Sequence, residues 1–186
     1  MKKQIFGIVL LLAVIFSCGK KDNKFTIGKK QVGKILDSTK ISELKNIFKQ
    51  DSIIKKTEGE GAFESYDEIT VINKNTKKPL LIIIPKKSGK TESLIQQVEI
   101  MSPLYKTKNN IGLNSKFIDI KKYHKIGKIE KTFKYLVVYL DDLDATMDFN
   151  KNVLPLNAQN NPGITIDATM IPDNAKPKHF VLFFNE

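Results

Sequence analysis

The chain has 186 residues, a formal net charge of +11 and one cysteine. All 31 of its Lys/Arg residues are lysine, and bidentate reading of phosphate or guanine is mostly arginine work, which argues against sequence-specific nucleic-acid binding. A single cysteine excludes an internal disulfide and a cysteine-based metal site. The lysines lie scattered in pairs such as Lys29-Lys30, Lys55-Lys56 and Lys86-Lys87, the pattern of a solvated surface with a salt-screened pull on anionic glycolipid.

The N-terminus carries the strongest signal. Met1-Lys2-Lys3-Gln4 is a short positive start, Ile5 to Phe16 is an unbroken apolar run, and Ser17-Cys18 closes it. This is the build of an export signal over residues 1–17. The run is too short for a transmembrane helix, which needs about twenty apolar residues. Ser17-Cys18 resembles the bacterial lipobox, with Ile15 at −3 and a bulkier than usual Phe16 at −2. The resemblance to bacterial lipoproteins implies cleavage between Ser17 and Cys18, a diacylglycerol thioether on the sulfur and an acyl group such as palmitate on the new amine. Two or three acyl chains then anchor the protein to a membrane far more firmly than one. Gly19 rather than Asp after the cysteine favours the outer membrane by the same resemblance. Gly19-Lys20-Lys21-Asp22-Asn23 is similar in part to the surface-export tag of some Bacteroidetes lipoproteins. The chain would then face either the periplasm or the cell surface.

Residues 18–24 read as an acylated tether and 25–186 as a single α+β domain, a length that buries about two-thirds of its unfolded surface. Thr39 to Phe48 places apolar residues at 41, 44, 47 and 48, one face of a helix, with Thr39 as N-cap and Glu43 in the first turn. Ser52 to Glu64 is weakly patterned. Strands are expected at Glu68 to Asn73, at Leu80 to Ile84 between two prolines, and at Ser93 to Met101, for which an amphipathic helix is the alternative, with a polar turn at Lys74 to Lys77. A second helix is expected over Ser115 to Tyr123, with Gly127 as its stop. Strands follow at Phe133 to Leu140, Thr146 to Phe149, Ile164 to Ala168 and Phe180 to Phe184. The segment Pro172 to Lys178 reads as the turn of a final hairpin.

At an offset of seventy-six, Ile35, Thr39, Lys40, Ile41, Glu43, Leu44 and Lys45 match Ile111, Ser115, Lys116, Phe117, Asp119, Ile120 and Lys121. Cap, first-turn acid and apolar face recur in register, the pattern of two repeated helix-plus-sheet units over about 25–102 and 103–186. An antiparallel sheet packed by two short amphipathic helices states the same pattern more simply. The layout resembles that of uncharacterised envelope lipoproteins and, loosely, the tandem helix–hairpin domains of β-lactamase-inhibitor-like proteins. That implies a fold and no activity.

No catalytic residue and no cofactor is assigned. Ser88-Gly89-Lys90-Thr91 ends like a phosphate-binding loop, but Ile84 stands where its first glycine belongs. Asp142 and Asp144 start like a calcium loop, but Met147 and Val153 occupy the required glycine and glutamate positions, leaving only weak calcium candidates. His124 and His179 lack zinc-ligand spacing. The long Asn/Pro-rich connection from Asn150 to Gly163 offers Val153, Leu154 and Leu156 as a binding surface or as a plug for an open sheet edge. These readings favour a lipid-anchored binding or interaction module with an envelope protein as partner. An envelope hydrolase or glycan-processing enzyme would need paired carboxylates in a cleft, and a lipid or lipopolysaccharide carrier would need an apolar cavity.

Overall fold

A computed structural model describes residues 23–58 and 66–184. The export signal, Cys18 and the start of the tether lie outside the described residues. Among the described residues no helix is long and apolar enough to cross a membrane.

The fold is α+β. Three very short strands, β1 (Thr26–Gly28), β2 (Gln31–Val32) and β3 (Ile35–Leu36), precede a one-turn helix α1 (Leu44–Ile47). Four strands follow in a meander: β4 (Asp51–Glu58), β5 (Tyr66–Asn73), β6 (Pro79–Pro85) and β7 (Ile95–Ile100). After β8 (Lys106–Thr107) comes the helix α2 (Phe117–Tyr123), and then β9 (Ile126–Lys131), β10 (Tyr135–Leu140) and β11 (Ala145–Asn150). A one-turn helix α3 (Leu156–Gln159) precedes the last strand β12 (His179–Phe183). Strands β4 to β7 and β9 to β12 form one eight-stranded antiparallel sheet in the order β4-β5-β6-β7-β12-β11-β10-β9, and β3-β2-β1-β8 form a small second sheet. Each meander is thus preceded by a short helix, and the two join through their fourth strands, where Leu182 faces Val98.

Cross-strand register shows where the core lies. Ile69, Ile83, Val98, Leu182, Ala145 and Leu140 form one row across six strands, and none is more than 3% exposed. Full burial of one such aliphatic side chain stabilises by about 1.5–3 kcal/mol. The helices and the small sheet contribute Leu44, Phe117, Ile120, Ile27, Val32 and Ile35 to the same core, so they cover this face. Phe117 also meets Phe149 edge to face at 5.4 Å.

The two helix starts match in detail. Thr39 Oγ1 accepts from the Leu36 N–H, and Ser115 Oγ accepts from the Gly112 N–H. The caps are therefore Lys40, which starts the 3-10 turn Ile41–Glu43 leading into α1, and Lys116, which starts α2, both in extended backbone, and Thr39 and Ser115 instead close the turns one residue earlier. Backbone carbonyls satisfy the free N–H groups of each first turn. Ile41 and Ser42 donate to Ser93 and Thr91, while Phe117 and Ile118 donate to Ala175 and Asp173. In each half these carbonyls belong to the loop that leads into the fourth strand.

Several sequence expectations are corrected. Of the weakly patterned stretch Ser52 to Glu64, residues 52–58 belong to strand β4, and 59–64 lie outside the described residues. Edge strands such as β4 and β9 are half-solvated and lysine-bearing, which weakens their alternation. Gly127 lies inside β9, and α2 ends at His124. A Cβ at position 127 would meet only the exposed Asp141 carboxylate, which can turn aside. Residues 164–167 form no strand and lead into a 3-10 turn over Ala168–Met170, with Ile166 buried against the core. Pro172 to Lys178 closes no tight hairpin, because no strand precedes it at 164–168; β12 pairs antiparallel with β11 across the long 151–178 connection and with β7, and this segment caps α2.

Candidate functional site on the open face of the sheet

Strand geometry sends alternate side chains to opposite faces. The row next to the core row therefore lies on the other face: Ile54, Thr70, Ile82, Glu99, Val181, Thr146 and Tyr139, paired strand to strand. Ile54 is exposed, Thr146 is buried, and the other five are part-buried. No helix covers this face among the described residues. It mixes apolar and polar groups over seven strands, unlike the wholly apolar row behind it.

A polar cluster occupies the junction of the two meanders. His179 on β12 stands between Glu99 on β7 and Asp148 on β11. Its Nδ1 lies 2.6 Å from Glu99 Oε1, and Asp148 is its direct cross-strand neighbour. The Tyr135 ring meets the imidazole edge to face at 5.1 Å. Asp148 Oδ1 is enclosed and has no hydrogen-bond partner. Burial pushes the Asp148 carboxyl above the usual aspartate range, His179 opposes the shift, and Glu99 adds to it. Glu99, part-exposed, can accept a hydrogen bond from an incoming donor, whereas the enclosed Asp148 Oδ1 is out of its reach, and Val137 and Val181 are the apolar neighbours. Its carboxylates sit on a face rather than inside a cleft.

Lysines rim one end of the sheet. Tyr66, Ile84, Lys86, Lys87, Ser88 and Gln96 line an open cleft of about 790 Å³. Lys29, Tyr139, Asp141, Asp144 and Phe183 line another of about 700 Å³ at the same end. The turn Ser88-Gly89 is structural. Asp67, 4% exposed, accepts from the Gly89 N–H at 2.6 Å and from Lys55 at 2.9 Å, and its own N–H donates to Ser88 Oγ. The Gly89 N–H and the Lys55 ammonium hold this carboxyl below its ordinary range. Gly89 has φ +72°, which suits glycine.

The residues singled out from the sequence do not converge. Asp142 accepts from His124 Nδ1 at 2.8 Å and from the Lys125 N–H. Asp144 pairs with Lys29 at 3.3 Å from a left-handed turn position. Among the described residues no three His, Cys, Asp or Glu side chains group to hold a metal ion. The connection after Asn150 is not a free loop, since it contains the 3-10 turn Lys151–Val153 and α3. Leu154 belongs to the core, Val153 is part-buried, and only Leu156, 85% exposed, is free to meet a partner. Lys131 on the edge strand β9 ties this segment down through the carbonyls of Ala158 and Asn161. Glu99 and Asp148 were missed because only strand register brings them beside His179.

No family model and no curated protein sequence matches the chain. Its fold is similar to the crystal structure of the uncharacterized protein yfeY from Escherichia coli, at a TM-score of 0.57 and 10% identity, over 85% of this chain and 99% of that one. At that identity the likeness shows a shared fold.

Proposed function

We propose that the chain is a lipid-anchored cell-envelope protein that acts as a binding module, docking an envelope protein on the open face of its large sheet. The row from Ile54 to Tyr139, which no helix covers among the described residues, with Glu99 at its centre and His179 and Asp148 beside it, carries this reading. A face with apolar and hydrogen-bonding groups side by side suits a protein surface. The lipobox-like Ser17-Cys18 supports the anchor.

The test is capture from envelope extract by the chain from Gly19 onward, beside the double variant Ile54→Lys, Val181→Lys and the control Ile118→Lys on the outer side of α2. A defined protein held at high salt by wild type and control, and lost by the double variant, is the expected result. Equal retention by all three, or capture only of glycolipid that salt releases, would overturn the proposal.

A further inference from the structure

One group of lysines is neither paired nor on the open face. Lys24, Lys34 and Lys49 line a cleft of about 390 Å³ with Asn46, Ile47, Phe48, Gln50 and Asp51. Asp51 pairs in register with Asn73, so the turn carrying Lys74, Lys77 and Lys78 stands beside this cleft. Each of these six lysines is without an ion-pair partner within 4 Å among the described residues. Asp51 is the one acid of the cleft, and Glu43 lines the adjoining depression beyond Lys34.

The position of this group along the chain gives it a partner. Asn23, where the described fold begins, directly precedes Lys24. From Cys18 to Asn23 the chain can span at most about 18 Å even fully extended. If Cys18 is acylated, Lys24 and its neighbours therefore cannot stand far from the bilayer, whatever path the tether takes. The open face of the large sheet lies on the side away from the layer that carries Lys24 and β1.

We propose that the cleft of Lys24, Lys34 and Lys49, with the turn of Lys74, Lys77 and Lys78, is the surface turned toward the bilayer and binds the phosphate groups of its anionic lipids. This rests on the lipid-anchor reading above. Acyl chains supply the hold, and the lysines fix the orientation, each adding attraction near an anionic surface. The docking face is thereby left free for a partner.

The test uses the full processed chain, reconstituted into vesicles of phosphatidylcholine alone or with phosphatidylglycerol. Each lysine is followed by a water-soluble amine-reactive label and mass spectrometry. With phosphatidylglycerol, the six lysines are expected to react several-fold more slowly than Lys86 and Lys87 at the far end, and high salt should abolish the difference. The triple variant Lys24→Glu, Lys34→Glu, Lys49→Glu should lose the protection of Lys74, Lys77 and Lys78 while keeping its circular dichroism spectrum. Equal labelling in both vesicles on a chain whose intact mass shows acylated Cys18 would overturn this proposal alone. An unmodified Cys18 would overturn the anchor reading and this proposal together.

Discussion

The two helix-plus-meander halves start alike and end differently. Their helices begin with the same hydrogen bonds at Thr39 and Ser115, the same extended caps at Lys40 and Lys116, and the same pair of capping carbonyls. They diverge between the third and fourth strands. Residues 86–94 make a short turn pinned by the buried Asp67, whereas residues 151–178 add a helix and two 3-10 turns. The second half also packs a larger side chain at the start of its helix, with Phe117 fully buried where Ile41 is only part-buried. Local helix chemistry is thus shared, and each half stabilises its remaining segments in its own way.

The largest expected effect comes from the unequal helix positions. Phe117→Ala should cost about 3–5 kcal/mol in urea unfolding, since it removes a buried ring and its contact with Phe149. The matching Ile41→Ala should cost about 1–2 kcal/mol, because less surface returns to water. Equal losses would remove the asymmetry.

Next comes the pinned turn of the first half. Asp67→Asn should destabilise by about 2–3 kcal/mol, leaving the Gly89 N–H and Lys55 without a charged acceptor. The folded state holds the Asp67 carboxyl low, so its contribution is present at neutral pH and lost as pH falls through the folded-state value. The variant should therefore show a flatter acid limb, and unchanged acid sensitivity would contradict the assignment.

The smallest effect belongs to the junction and has the opposite sign. The Asp148 carboxyl is raised by burial, so its contribution is present in acid and lost as pH rises through the folded-state value. Asp148→Asn should be more stable than wild type at neutral pH, by less than about 1 kcal/mol, with the advantage fading toward pH 3. A loss of stability at neutral pH would show that this carboxylate is paired after all.

What the sequence revealed depended on how local each feature is. The interior strands β6 and β10 are dense in Leu, Ile, Val and Tyr, and the two helix starts repeat over eleven residues, from Ile35 to Lys45, so both can be read from the chain. The edge strands β4 and β9 blur their alternation with lysine and a glycine. Ile164 and Ile166 imitate a strand because they alternate, yet the chain there finds no partner and packs as a loop. The Glu99, His179 and Asp148 cluster draws on three strands, and only their register assembles it. Leu154 and Leu156 look alike in sequence, and only packing shows that one is core and the other surface.

The most direct measurement is site-specific photo-crosslinking in intact envelopes, with the probe at Val181 on the open face or at Leu156 on α3. Docking on the open face predicts a discrete protein adduct from Val181 and none from Leu156. An adduct from Leu156 alone would move the binding surface to the connection after β11 and rule out docking on the open face.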